Sequence, residues 1–331
     1  MRCVLVTGGV GFIGSHVCEE LVRQGYSVCI IDSINNYYDV QYKRKNLECI
    51  YDTLEQDKNN CRDRIYIYET DIRDSKKIDD IFSNHEIEIV IHLASCAGVR
   101  PSIENATLYS DVNINGTLNI LECMKKYSVK KLLFASSSSV YGNNAKIPFS
   151  ENDTVNCPIS PYAATKKAGE LLCYTYHHLY NINTACLRFF TVYGPRQRPD
   201  LAIYKFTNLI FNKKPISIYG DGLMQRDYTY VTDTIDGVLK AMQWVDYDDD
   251  KRFEIFNLGE SHTITLIEMV KTLEKAIGIK VKLNYLPEQP GDVKITHADI
   301  QKAIQVLGYN PRINFEEGIN KFVEWFRVNR V

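Results

Sequence analysis

Nowhere in these 331 residues does an apolar run approach the ~20 residues that a membrane-spanning helix needs. The N-terminal run Met1-Arg2-Cys3-Val4-Leu5-Val6-Thr7 is too short for a secretory leader. It enters a glycine turn instead of a small-residue cleavage site, so it reads as a buried first strand. An excess of positive charge is also missing. The formal net charge of −2 removes the global basic field that nucleic acid or an anionic membrane would require, and Lys43-Arg44-Lys45 reads as a solvated helix face. Ten cysteines lie between Cys3 and Cys186, but no two stand at CxxC spacing, and the seven histidines, His177-His178 among them, have no metal-ligand spacing. These absences argue against a disulfide framework and a metal site. They predict reduced, mostly buried thiols in a cytoplasmic protein, where the Asn-X-Ser/Thr sites at Asn105, Asn115 and Asn152 carry no meaning.

What is present is a large core: 45% of the residues are hydrophobic, enough for one large unit or two lobes sharing an interface. Strand-like apolar runs at 2–7, 27–32, 65–69, 88–93, 130–135 and 183–189 are separated by helical patterns such as Gly14–Gln24, Lys76–Phe82, Asn113–Lys125 and Ala164–Leu179. Strands too apolar to alternate, with helices between them, predict an α/β fold: a doubly wound parallel sheet of Rossmann type. After residue 190 the rhythm breaks and helical patterns return near 232–244, 264–276, 297–306 and 315–328, which predicts a smaller C-terminal α/β substrate-binding lobe. The expected division is 1–186 for the cofactor, with part of 225–250 added to it, and 187–331 for the substrate.

The run Thr7-Gly8-Gly9-Val10-Gly11-Phe12-Ile13-Gly14 follows the first strand and opens a helix. Gly8, Gly11 and Gly14 permit a tight turn, close approach to a pyrophosphate and close helix–strand packing. With Phe12 and Ile13 they form the start of a helix whose free N–H groups suit phosphate. The second strand ends in Asp32, eighteen residues after Gly14, placed to accept both ribose hydroxyls of an adenosine and to repel a 2′-phosphate. No Arg follows it, which favours NAD over NADP. Asp71 and Ile72 after the third strand are expected beside the adenine, and Ala94 after the fourth beside the cofactor.

Tyr162 and Lys166 stand one helical turn apart on one face, so an ammonium can sit by the phenol and lower its pKa toward general-base use. Tyr127/Lys131 and Tyr247/Lys251 have the same spacing in a chain with 22 tyrosines. Only Tyr162 opens a helix just downstream of a serine cluster, Ser136-Ser137-Ser138-Ser139, at a strand end facing the cofactor crevice.

With the glycine turn, Asp32, the serine cluster and Tyr162/Lys166 in this order, the chain resembles the extended short-chain dehydrogenase/reductase family of sugar-nucleotide epimerases and dehydratases along essentially its whole length. The resemblance implies Tyr162 as base, Lys166 as its partner and Ser137 as the hydroxyl partner. It also implies that Asp111–Thr117 is the helix past the nicotinamide, with Asn113 at the cofactor. Three strings, Ala97-Gly98-Val99-Arg100-Pro101-Ser102, Phe189 through Asp200, and Arg226-Asp227-Tyr228-Thr229-Tyr230-Val231, are similar to the UDP-glucuronate 4-epimerase branch. Dehydratases of the family place Asp-Glu where this chain has Ser138 and Ser139, and decarboxylases place Glu at the position of Ser139. Neutral-hexose epimerases usually carry Asn at Thr191.

These likenesses imply epimerisation at C4 through a 4-keto sugar. Ser138, Ser139, Thr191 and Arg198 are the candidates for holding the substrate carboxylate, Arg226 for the nucleotide diphosphate, and Arg100 for a further substrate contact. UDP-glucuronate decarboxylation, UDP-glucose epimerisation, net dehydrogenation and NAD sensing without turnover stay open as alternatives. A homodimer through the helices at 105–126 and 160–180 is also implied, with Leu118, Leu121, Met124, Leu171, Leu172 and Tyr176 as its apolar surface.

Overall fold

The computed structural model describes residues 2–55, 64–247, 251–287 and 293–329. The chain begins β1 (Cys3–Thr7), α1 (Phe12–Arg23), β2 (Ser27–Asp32), α2 (Val40–Glu55), β3 (Ile65–Glu69), α3 (Ser75–Asn84) and β4 (Ile87–His92). It continues with the short α4 (Val99–Glu104) and α5 (Ala106–Ser110), α6 (Gly116–Lys126), β5 (Lys131–Ser137), α7 (Pro161–Tyr180), β6 (Asn183–Phe189) and β7 (Thr191–Tyr193). The remainder is α8 (Ala202–Phe211), β8 (Ile216–Tyr219), β9 (Gln225–Tyr230), α9 (Val231–Val245), β10 (Phe253–Leu258), β11 (Thr263–Thr265), α10 (Leu266–Ile277), β12 (Leu283–Leu286), α11 (Gln301–Leu307) and α12 (Phe315–Asn329).

The main sheet has seven parallel strands in the order β10-β6-β5-β4-β1-β2-β3. Its inner strands bury both faces. Val4, Val6, Ile30, Ile89, Ile91 and Leu187 belong to one core layer, and Leu5, Cys29, Ile31, Val90, Leu132 and Cys186 belong to the other. Chain direction across the sheet reverses between β1 and β4, which opens the crevice where parallel sheets of this kind take ligands.

Local signals fix the helix that borders this crevice. Ser160 caps α7 by accepting the Ala163 N–H (3.1 Å), Pro161 supplies a preset first turn, and Asn181 ends the helix in the left-handed region at φ 55°. The expected helix at Asn113–Lys125 instead begins with a π-helical turn at Asp111–Asn115. That turn lets the Asn113 side chain reach back toward the loop after β4.

The seventh strand, β10, was not among the runs read from the sequence. Phe253-Glu254-Ile255-Phe256-Asn257-Leu258 carries polar residues because it is an edge strand, and it pairs in register with β6. Together with α9, which packs on β5, β6 and α1, it returns the chain to the main sheet after an excursion through β7–β9. Two small sheets, β11-β9-β7 and β12-β8, with α8, α10 and α12, make the second lobe. Among the described residues no helix is long and apolar enough to cross a membrane, and no cluster of His, Cys, Asp and Glu could hold a metal ion. The nine cysteines among those residues are all free.

Candidate active site

A cleft of about 640 Å³ runs along the carboxyl ends of the strands. At one end lies the turn between β1 and α1. Gly8 has φ +71°, and a Cβ there would stand 2.9 Å from the Ala94 backbone nitrogen. A Cβ at Gly14 would stand 2.1 Å from the Gly8 carbonyl oxygen, so only glycine lets α1 sit on the turn. Gly11, the residue capping α1, offers no side chain to the first-turn N–H groups, which leaves that helix end open toward the cleft. The turn therefore has the shape, donors and dipole that a dinucleotide diphosphate fits.

Asp32 closes β2 with its carboxylate buried at this end. It accepts the Ile34 N–H at 2.9 Å and lies 3.5 Å from the Lys43 ammonium. Lys43 corrects an expectation. Arg44 and Lys45 are solvated, but Lys43 is buried, lines the cleft and donates to Asn35 Oδ1 at 3.1 Å. Its burial follows from α2 itself, where Lys43, Asn46, Ile50 and Leu54 share the inward face at helical spacing. Asp71 and Ile72 line the cleft as well, the Asp71 carboxylate held below its usual range by Arg73 (2.8 Å).

Ser137, Tyr162 and Lys166 come together at the middle of the cleft. Ser137 ends β5, and its hydroxyl accepts the Ser139 N–H at 3.1 Å. Lys166 is buried and donates to the Ala135 carbonyl (2.7 Å) and the Ser95 hydroxyl (3.0 Å), which uses two of the three ammonium protons. Its nitrogen stands 5.9 Å from the centre of the Tyr162 ring.

The electrostatics differ from the simple expectation of a phenol lowered by its lysine. Burial raises the Tyr162 pKa, and a hydrogen bond from Ser137 and the Arg198 charge act against that rise. Burial also drives Lys166 down to about 8. For each group burial is the largest influence and outweighs what its neighbours contribute against it.

Ser138, Ser139, Thr191 and Arg198 line the cleft beyond Tyr162. Arg198 is not a loose surface charge: its guanidinium forks onto Asp200 at 3.0 and 2.9 Å and lies over the Tyr37 ring at 5.4 Å. Arg196, by contrast, turns away to Glu19 (2.6 Å) and His16 on α1, and so anchors the loop after β7.

Three expected contacts lie outside the lining of the cleft. Asn113 is a brace: its amide accepts the Cys96 N–H (2.7 Å) and donates to the Cys96 carbonyl and the Thr165 hydroxyl (3.0 Å each). The π-helical turn aims it at the loop after β4 instead of at open space. Arg100 lies over the Tyr219 ring at 5.3 Å, and Arg226 donates to the Gln225 carbonyl at 2.9 Å. Each of those positions is set by the second lobe.

The sequence reading missed Tyr37, Tyr38, Ser95 and Cys96 in the lining. The tyrosines sit in the irregular segment after β2, where no period marks them. Tyr109 was missed too; its ring meets Tyr162 edge-on at 6.3 Å, and its hydroxyl donates to the Ala97 carbonyl at 2.7 Å.

Residues 5–322 match the family model described as GDP-mannose 4,6 dehydratase. The chain belongs to this family. It is 44% identical over 330 residues to the UDP-glucuronate 4-epimerase of Thermodesulfobacterium geofontis, covering 99% of this chain and 97% of that relative. The UDP-glucuronic acid 4-epimerase of Bacillus cereus, solved with UDP-glucuronic acid and NAD, superposes with a TM-score of 0.89 at 34% identity, over 99% of both chains. The UDP-glucose 4-epimerase of Thermotoga maritima, solved with UDP-glucose, gives 0.86 at 34% identity, again over 99% of both. Two of these relatives are thus UDP-glucuronate 4-epimerases and the third a UDP-glucose 4-epimerase, and the Bacillus cereus structure holds NAD.

Proposed function

We propose that this protein interconverts UDP-glucuronate and UDP-galacturonate by epimerisation at C4, with NAD as its resident cofactor. The observation that carries this reading is the far end of the cleft, where Ser138, Ser139 and Thr191 hydroxyls and the Arg198 guanidinium stand beyond Tyr162 with no acidic side chain among those four positions. Such a surface receives a sugar carboxylate without repelling it. A relative solved with UDP-glucuronic acid and NAD supports the same substrate.

Gly8, Gly11, Phe12, Ile13 and Gly14 hold the diphosphate and Asp32 the adenosine ribose, while Lys166 has one ammonium proton left for the second ribose. When bound, NAD supplies the hydride acceptor for C4 and a positive ring that lowers the Tyr162 pKa. Tyr162 takes the proton of the 4-hydroxyl, and Ser137 hydrogen-bonds the same oxygen. The 4-keto sugar is a β-keto acid and loses CO2 when its carboxylate bond aligns with the carbonyl π system. Ser138, Ser139, Thr191 and Arg198 hold the carboxylate out of that alignment until the sugar turns over.

In this reading 1–186 and α9 serve the cofactor and most of 187–331 serves the sugar nucleotide, with Arg226 toward the diphosphate. The protein works as a cytoplasmic homodimer, consistent with its free described cysteines. Leu121, Met124 and Tyr176 are buried within the protomer, so the dimer face rests on exposed Leu171, Tyr174 and Leu179 of α7 and Leu108 of α5. Proton NMR of purified protein with UDP-glucuronate and no added NAD tests the assignment. UDP-galacturonate is the expected product. UDP-xylose or a 4-keto pentose would show that the carboxylate is unprotected, and no change even with added NAD would remove the activity.

A further inference from the structure

Arg198, the one cleft-lining cation among the four groups assigned to the sugar carboxylate, already has a carboxylate. Asp200 accepts from its Nε at 3.0 Å and from its Nη2 at 2.9 Å, a forked pair. The Arg198 side chain is 18% exposed and that of Asp200 is 40% exposed, and only Arg198 is part of the cleft wall. A guanidinium carries five N–H groups, so with Nε and one Nη2 proton given to Asp200, the two Nη1 protons and the second Nη2 proton are left for a ligand in the cleft that Arg198 lines. Tyr37 fixes the plane of the group from one face at 5.4 Å, with its own hydroxyl donating to the Ala97 carbonyl at 3.2 Å.

We infer that Asp200 is a specificity-determining residue, an internal counter-charge that sets how strongly the site prefers a carboxylate sugar over a neutral one. This rests on Arg198 being the carboxylate contact proposed above. With Asp200 in place, a neutral hexose enters without leaving Arg198 buried and unpaired. A hexuronate, meanwhile, brings a second negative charge to a guanidinium whose charge is already balanced. Both effects narrow the difference between the two substrates. Removing the charge of Asp200 while keeping an acceptor for Nε widens that difference. The hexuronate becomes the only carboxylate available to Arg198, and the neutral sugar now covers an uncompensated cation.

The test uses the NAD-bound protein with Tyr162→Phe as background, so that ligands are not turned over during titration. Dissociation constants for UDP-glucuronate and UDP-glucose are measured by calorimetry with and without Asp200→Asn. The expected result is opposite movement: tighter UDP-glucuronate by roughly three- to tenfold and weaker UDP-glucose by a similar factor. Adding Arg198→Ala should abolish both changes, because they run through that side chain. Two constants moving in the same direction, or neither moving, would overturn the inference. Turnover of UDP-glucuronate by the unaltered protein is followed in parallel by NMR. If that fails, the substrate assignment falls; if it succeeds while the two constants do not diverge, only the role of Asp200 falls.

Discussion

Directly behind the serine cluster, Glu170 of α7 and Arg188 of β6 form an ion pair with 2% and 1% residue exposure. Arg188 donates to both carboxylate oxygens at 2.8 and 2.9 Å, Ser136 donates to the same carboxylate at 2.6 Å, and the guanidinium lies 4.8 Å from the centre of the Tyr141 ring. The pair thus ties together α7, which carries Tyr162 and Lys166, and β5, which carries Ser137. Glu170→Gln removes the negative charge and turns an amide N–H toward a guanidinium that has no water to retreat to. Breaking one partner of such a buried pair costs roughly 3–5 kcal/mol, a large share of the ~5–15 kcal/mol that typically holds a fold together. For a chain of this length that corresponds to a melting temperature about 4–7 °C lower. Scanning calorimetry of the NAD-free protein measures it. The double substitution Glu170→Leu with Arg188→Met removes both charges together and should recover most of the loss. A single variant melting within 1 °C of the unaltered protein, or a double variant no better than the single one, would refute the account of a clamp held by charge pairing.

Tyr162→Phe should reduce turnover by about 10²–10⁴-fold while retaining NAD, measured by progress curves and by absorbance of the released dinucleotide. Equal loss of both would mean a damaged cofactor site instead of a missing base. In Arg198→Ala, NMR of the product mixture should show a rising share of decarboxylated sugar; unchanged partitioning would take Arg198 out of carboxylate control. His92 gives a pH signature. It is buried and accepts from the Thr7 hydroxyl at 2.7 Å, while Thr117, which itself donates to the Asn113 carbonyl, accepts from its other nitrogen at 2.9 Å. Burial lowers its pKa to about 3. Between the unfolded value of 6.5 and about 3 the unfolded chain binds more protons, so stability falls as pH drops, by ~2 kcal/mol at pH 5. Asp227, raised to about 6, and Glu260, raised to about 8, act with the opposite sign. The stability difference between the unaltered protein and His92→Gln cancels them and should shrink by ~2 kcal/mol from pH 7.5 to 5 in urea titrations. A pH-independent difference would sink the reading.

The amino-acid sequence by itself determined the elements whose information is local. Six sheet strands were legible almost to the residue: the inner ones, covered on both faces, must be apolar throughout, and helices with opposite demands separate them. The glycine turn, Asp32 at the end of β2, and the Tyr162/Lys166 pair below a serine-rich strand end were legible for the same reason. In each case the chemistry needs a fixed spacing within one turn, strand end or helical face.

Tertiary structure decided whatever depends on residues far apart in the chain. The edge strand β10 could not announce itself, since its polar residues find their partners far away in the chain, Asn257 in Phe149, Asp299 and Tyr141 and Glu254 in Lys302. The inward turn of Lys43 toward Asp32, the bracing role of Asn113 and the return of α9 to the main sheet are of this kind. So is the balance at Tyr162, where burial supplied by the whole cleft outweighs the hydrogen bond from Ser137 and the charge of Arg198. The fork between Arg198 and Asp200 spans two residues and is local, but its position over Tyr37 is not. A sequence pattern records which side chains must be buried or spaced, whereas charge balance and side-chain direction depend on what the fold brings against them.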